Sequence, residues 1–465
     1  MAQANEALKG NLVYWYNPLR VLIVIKSRKT FSSSTCWRQR ELIEAMLPPI
    51  ILLLIITSFT GTEVSAVKKK RHVHHEEGLQ SHGQESDMAM VTSANSDFAF
   101  DLYKRIANHS SSNIFFSPLS ISTALAMLSL GTRSVTREQL FKGLHFNDMT
   151  QERIAHMNRG YKQLLQALMA EHNELQLSTG SSLHIQKGFD VLPNFLNETK
   201  KFYNAEVFLL DFNLDPENAR QQLNDYVKKM TKGKIKDMFS EIDPSTKLML
   251  INYIFFKGKW KSPFDPKHTH EAFFNVNKST QVKVQMMHQD NRFSKISDYH
   301  LSSNVIKLPY VGNASMIAVL PAEGNLEYIE QNLSREKFEE WLQKLGHKSQ
   351  RFRLSFPKLS LSISCRLNNI LMEIGVRDLF TSDANLFGIS GNESLKVSQV
   401  THKALLDIDE YFTEAAAVTG VELVPLSLPP SIRFDKPFLL IIYEENTNNI
   451  LFLGRIKDPS KKFSP

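Results

Sequence analysis

The apolar residues Phe98, Leu102, Tyr103 and Ile106 recur at helical spacing, so this segment is expected as a helix with one buried face. Ser117-Pro118 predicts an N-cap followed by proline at the first helical position. From Ile121 to Leu130 the chain is apolar nearly all round and stops at Gly131, so a second, fully buried helix is expected there. Later the pattern shortens and turns β-branched and aromatic. Leu248–Phe256, Val282–Met287, Ala314–Leu320, Lys403–Ile408, Ile432–Tyr443 and Ile450–Leu453 are expected as central strands. Helices cluster early and strands late without βαβ alternation, which predicts an α+β architecture. From Phe98 to Pro459 no linker, repeat or low-complexity block interrupts the chain, so residues 96–465 are expected as one large domain. Residues 67–95, polar and without periodicity, are expected as a flexible N-terminal tail.

The apolar run from Pro48 to Phe59 is too short for a comfortable membrane span, and it is followed by Val64-Ser65-Ala66, which suits signal peptidase. Residues 46–66 are therefore expected as a signal peptide that begins at Met46, with a signal anchor as the alternative. Residues 1–45 are expected to be an upstream extension without structure, despite a second apolar patch at Val21–Ile25. No stable membrane association is expected.

Net charge is +7, and its location decides what it means. Residues 1–66 hold seven Lys/Arg against four Asp/Glu, and Lys68, Lys69, Lys70 and Arg71 add four more positives, so the rest of the chain is balanced. Charge therefore does not indicate a nucleic-acid-binding body, although folding can still segregate a local basic patch. Of two cysteines, Cys36 precedes the expected cleavage site, which leaves Cys365 alone in the mature chain, as a small buried hydrophobe without a disulfide.

A search for catalytic chemistry finds no G-x-S-x-G elbow, H-E-x-x-H pair, phosphate loop or C-x-x-C, so no enzyme is expected. His72, His74 and His75 beside Glu76 and Glu77 form one group of possible metal ligands, but in the expected tail nothing orients them, and neither metal nor cofactor is expected. His402 adjoins a strand-like run without a nucleophile in recognisable context, so it is expected as a satisfied core histidine.

Several segments, in order, resemble the serpin family: Asn113-Ile-Phe-Phe-Ser-Pro-Leu-Ser120, Asn252-Tyr-Ile-Phe-Phe-Lys-Gly-Lys-Trp260, Ile432-Arg-Phe-Asp-Lys-Pro-Phe-Leu-Leu-Ile-Ile442 and Ile450-Leu-Phe-Leu-Gly454. They are most similar to the antitrypsin-like, vertebrate plasma branch. The resemblance implies the serpin fold: three β-sheets, eight or nine helices and an exposed reactive loop near the C-terminus. It implies a monomer whose partner is a serine protease. It assigns Ser117, Ser120, Asn252 and His402 to a polar cluster, the shutter, under the central sheet where its strands part, and Trp260 to the breach at the top of that sheet. Buried polar groups must be paired, and a hydrogen-bonded cluster can be broken and remade as strands separate.

The segment from Glu410 to Pro430 resembles the hinge and reactive loop of an inhibitory member, and aligned this way Leu426–Ser427 is the bait bond. If the loop joins a sheet, Thr413, Ala415, Ala417, Thr419, Val421 and Leu423 share one face, with Glu414, Ala416 and Glu422 on the other. No proline occurs from Thr413 to Val424, so every backbone N–H there is free for ladders, while Pro425, Pro429 and Pro430 confine the breaks to the distal end. Leu426, apolar and uncharged, points to chymotrypsin-like or elastase-like enzymes. One departure stands out: the family's hinge has glycine before the threonine, where this chain has Phe412 preceded by Tyr411. Aromatics stiffen a turn that glycine leaves free, so the alternative is a non-inhibitory carrier of a small hydrophobic hormone. Sequons at Asn108, Asn197, Asn277, Asn313, Asn332 and Asn392 are candidate glycosylation sites, Asn313 first among them.

Overall fold

Ser117 caps the second helix as its place ahead of Pro118 demands: its Oγ accepts the Ser120 N–H at 3.2 Å. Every residue of that helix is buried, as its all-round apolar pattern requires. The computed structural model describes residues 11–16, 21–26, 78–146, 150–169, 175–346, 349–391, 395–410, 429–461 and 463–464. The helices are α1 Gly78–His109, α2 Pro118–Ser129, α3 Ser134–Gly143, α4 Gln151–Met169, α5 Pro193–Tyr203, α6 Pro216–Met230, α7 Leu326–Asn332, α8 Arg335–Leu345 and α9 Asn368–Ile374. The strands are β1 Asn11–Tyr16, β2 Val21–Lys26, β3 Ile114–Phe116, β4 Leu175–Gln186, β5 Glu206–Leu210, β6 Leu248–Gly258, β7 His270–Asn275, β8 Gln281–Asp298, β9 Ser303–Pro309, β10 Ala314–Pro321, β11 Ser349–Pro357, β12 Leu359–Arg366, β13 Gln399–Ile408, β14 Ser431–Arg433, β15 Phe438–Glu444, β16 Ile450–Ile456 and β17 Phe463–Ser464.

The chain divides into two units, 1–74 and 75–465. In the first, β1 and β2 pair antiparallel, with Asn11 opposite Lys26 and Tyr16 opposite Val21. The β-branched run Val21–Ile25 supplies the second of these strands. The expected signal segment 46–66 and the His72–Glu77 group lie outside the described residues.

In the second unit a six-stranded sheet has the order β17-β12-β13-β6-β4-β5, and a nine-stranded one runs β14-β11-β8-β9-β10-β15-β16-β3, with β7 on β8. The 18-residue β8 pairs with β7 and β11 along its first part and with β9 at its end, so two of the three expected sheets are continuous through it. Helix α2 packs against β4, β6 and β16 and so sits between the two sheets. The α+β architecture is as expected.

Two boundaries differ from expectation. The tail does not extend to Asn95: α1 begins at Gly78, and Asp87, Val91, Ala94 and Asn95 are buried. These residues lack an apolar period because their polar members are paired instead. The Asn95 amide donates to Asn449 Oδ1 at 2.8 Å and accepts from Ser122 Oγ at 2.9 Å, and Asp87 accepts from Arg159 Nε at 2.9 Å. The single strand expected over Ile432–Tyr443 is two, β14 parallel to β11 and β15 between β10 and β16, with Pro437, which has no N–H to donate, between them.

Candidate functional site

Within the six-stranded sheet, β13 and β6 are parallel neighbours, from Gln399 opposite Met249 to Leu406 opposite Phe256. The next pairs outward, β12 with β13 and β6 with β4, are antiparallel. A strand that follows β13 and folds back beside it would therefore run antiparallel to both β13 and β6. It would turn one parallel pairing, slightly the weaker kind per residue, into two antiparallel ones.

His402 and Asn252 are cross-strand partners in this pairing, both about 1% exposed. His402 Nε2 accepts the Ser117 backbone N–H at 3.1 Å, so the ring proton sits on Nδ1, which donates to Asn252 Oδ1 at 2.5 Å. The same oxygen accepts from Ser120 Oγ at 2.8 Å. The Asn252 amide donates to the Ser120 carbonyl at 3.0 Å, the Gly180 carbonyl at 3.2 Å and Ser181 Oγ at 3.0 Å. All four expected cluster residues thus meet, and they tie α2 to β6, β13 and β4 at once. Burial pushes the His402 pKa down to about 3, so the ring stays neutral and keeps Nε2 as an acceptor.

Gly180, Ser181 and Thr179 belong to this cluster and were not expected from the sequence. The run Ser178-Thr-Gly-Ser-Ser182 has little strand propensity because its role is close approach and hydrogen bonding. A Cβ on Gly180 would lie 2.2 Å from Tyr253 Oη, so a side chain there would displace that tyrosine. Thr179 Oγ1 lies 3.2 Å from Ser120 Oγ. Short polar residues clustered opposite a buried asparagine are the signal that could have found them.

At the top of the sheet, Trp260 is buried and stacked on Tyr310, centroids 4.3 Å apart at 13°. Its Nε1–H donates to the Asp409 carbonyl at 2.9 Å, just past the end of β13. Lys257 Nζ donates to Asp409 Oδ2 at 2.6 Å, and Lys358 Nζ to Glu410 Oε2 at 2.7 Å. Burial alone would raise the Glu410 pKa; hydrogen bonds from Lys358, Thr269 and the backbone, with the Lys358 charge, together outweigh it and hold the carboxyl below its usual range. The chain leaving β13 is thus held by an indole and two ammonium groups. At its return, the Pro430 carbonyl accepts from Arg353 N at 2.9 Å as β14 begins.

The hinge residues Phe412, Thr413, Glu414, Ala415, Ala416, Ala417 and Thr419 and the bond Leu426–Ser427 fall in residues 411–428, outside the described residues, as does Asn392. Asn108, Asn197, Asn277 and Asn332 are exposed and Asn313 half-buried. Cys365 is half-buried opposite His402, and burial pushes its thiol up to about 11, which keeps it protonated and unreactive. No group of three or more metal-ligating side chains is suitably placed among the described residues.

Comparison with known proteins agrees with the geometry. The family model for serpin (serine protease inhibitor) matches residues 93–459. The chain is 45% identical over 372 residues to alpha-1-antiproteinase of Rattus norvegicus, covering 80% of this chain and 90% of that protein. Among solved structures, human glycosylated kallistatin superposes with TM-score 0.76 at 38% identity, covering 81% of this chain and 99% of the other. Human thyroxine-binding globulin in complex with its ligand superposes with TM-score 0.75 at 37% identity, covering 81% and 100%.

Proposed function

The chain belongs to the serpin family, in its antitrypsin-like branch, and from that premise we propose that it is a secreted, monomeric inhibitor of serine proteases that acts by loop insertion, with Leu426–Ser427 as its bait bond. The observation that carries this reading is the parallel pairing of β13 with β6 over the Ser117, Ser120, Asn252 and His402 cluster, with the loop departing from the top of β13.

The protease serine attacks the Leu426 carbonyl; the Leu426–Ser427 amide breaks, and the Ser427 amine leaves with a proton. The ester keeps the enzyme attached to Leu426. The freed segment peels from its anchors at Asp409 and Glu410 and enters between β13 and β6, carrying the protease with it. Insertion is strand addition, and the native state stores the free energy it releases. The inhibitor supplies no catalytic group of its own. Leu426 suits an apolar specificity pocket, hence a chymotrypsin-like or elastase-like target.

Incubation of the secreted protein with chymotrypsin followed by a denaturing gel tests this. A heat-stable covalent complex is expected; loop cleavage without complex across a panel of such enzymes sinks the reading. The similarity to thyroxine-binding globulin, together with Phe412 at the hinge, favours one alternative, a carrier of a small hydrophobic hormone. That alternative predicts cleavage without complex and saturable binding of such a ligand.

A further inference from the structure

The face of the six-stranded sheet opposite His402 carries a second group of polar side chains. Because side chains alternate along a strand, Thr401 and Lys403 on β13 point away from α2 while His402 points toward it. The antiparallel register of β12 with β13 sets Ser364 opposite Lys403 and Arg366 opposite Thr401. These four line the floor of a cleft of about 690 Å³, and residues 237–241, in the chain that follows α6, form its wall. We propose that this cleft binds a tetrahedral oxyanion, phosphate or sulfate, either free or as the head of a small ester.

Register brings the donors together. Diagonal neighbours on adjacent strands lie about 7–8 Å apart, so the Lys403 ammonium and the Arg366 guanidinium, each on a long side chain, can meet on one anion. Lys403 is 5% exposed, and its Nζ donates to the Asp237 carbonyl at 3.5 Å. Arg366 donates from Nη2 to Gln399 Oε1 at 2.9 Å and has no salt bridge among the described residues. Gln399 Nε2 in turn donates to Thr401 Oγ1 at 2.7 Å, which leaves the threonine O–H to donate, and the Ser364 hydroxyl adds another donor. Two cations and two hydroxyls suit the oxygens of a tetrahedral anion.

The wall is fixed in place by α6. Asn224 Oδ1 accepts the Met238 and Phe239 N–H groups at 2.9 Å each, and its amide donates to the Phe239 carbonyl at 2.9 Å. Met238 and Phe239 give this side of the cleft an apolar section on which the body of an ester can lie. Arg220, also on the lining, is already paired with Glu217, so recognition falls to Lys403 and Arg366.

Charge narrows the ligand. Asp237 and Glu241 are exposed at the rim, while the buried ammonium lies at the floor. A cation drawn to the rim is repelled from the floor, and an extended polyanion meets both carboxylates; a small anion sits below them. Hydrogen bonds from Ser245 hold the Asp243 carboxyl below its usual range and the Arg366 charge adds to them, so one acid faces Arg366 from outside the cleft. Burial pushes the Lys403 pKa down, and the charge of Asp237 only partly offsets this. An oxyanion beside Lys403 favours its charged form.

The test is calorimetric titration of the full-length protein with sodium phosphate, sodium sulfate, phenyl phosphate and benzoate, at constant ionic strength set with chloride. Saturable one-site binding of a tetrahedral anion is expected. Tighter binding of phenyl phosphate than of phosphate assigns an ester, and equal or weaker binding assigns the free ion; both support the site. Arg366→Gln, at an exposed position, is expected to lose at least tenfold in affinity, and Lys267→Gln, which removes a surface charge elsewhere, less than twofold. Lys403→Met should abolish binding; if that variant does not fold, Ser364→Ala combined with Arg366→Gln replaces it. No saturable binding of any of the three tetrahedral anions, equal losses in Arg366→Gln and Lys267→Gln, or benzoate binding as tightly as phenyl phosphate overturns the proposal. No protease enters the titration, so its failure is distinct from failure of the inhibitor reading.

Discussion

Asn252 Oδ1 and His402 Nδ1 lie 2.5 Å apart across the parallel pair of strands, joining the two elements that an inserted strand would separate. Insertion must break this bond, so the pair opposes opening in the native state. Replacing Asn252 by Ala leaves the His402 N–H and the Ser120 hydroxyl buried without that acceptor. A loss of about 3 kcal/mol is expected, together with a lower temperature for spontaneous loop insertion. Urea unfolding of wild type and Asn252→Ala checks the first. Equal midpoints would mean that the cluster does not clamp the sheet.

His402 also sets an acid limit. Burial holds its folded-state pKa at about 3, and does the same for His184. An unfolded histidine titrates near 6.5. Above that pH both states are neutral and the rings contribute no pH dependence. As pH falls from about 6.5 toward about 3 the unfolded chain takes up protons that the folded chain refuses, and stability drops by up to about 1.4 kcal/mol per pH unit for each ring. Denaturation midpoints between pH 7 and 4 should fall, and His402→Gln should flatten the slope. An unchanged slope in that variant contradicts the assignment of a neutral, buried ring.

Lys257 and Lys358 hold the base of the loop through Asp409 and Glu410. Both contacts are partly exposed, which limits each to about 1 kcal/mol. Lys257→Met or Lys358→Met should therefore speed insertion by about fivefold. Trp260, which donates to the Asp409 carbonyl, is a built-in reporter. In a Trp341→Phe background its fluorescence should change with the insertion rate in stopped-flow mixing with protease. Unaltered rates in both variants would place the anchor elsewhere.

The hinge variants separate competence from specificity. Phe412→Gly should raise the fraction of encounters that end in covalent complex, and Thr413→Arg should abolish trapping by sending a charge toward the buried face. Cleavage should survive both. Leu426→Arg should move inhibition toward trypsin-like enzymes. If wild type already inhibits thrombin and Leu426→Arg changes nothing, the bait bond has been misplaced.

The sequence by itself determined the family, the α+β class and four members of the polar cluster, Ser117, Ser120, Asn252 and His402. Ser117-Pro118, Asn252 and Trp260 stand in local motifs whose residue types are dictated by capping, burial and strand packing, and such constraints are written along the chain. Tertiary structure alone decided what those residues touch. That His402 Nε2 takes a backbone proton while Nδ1 faces Asn252 depends on elements 285 and 150 residues apart in the chain. The start of α1 was hidden for the same reason: Asp87 and Asn95 are buried through polar partners on α2, α4 and the segment before β16, so no apolar period marks them. Thr179, Gly180 and Ser181 look like a loop in sequence and form a strand only because Asn252 and Tyr253 lie against them.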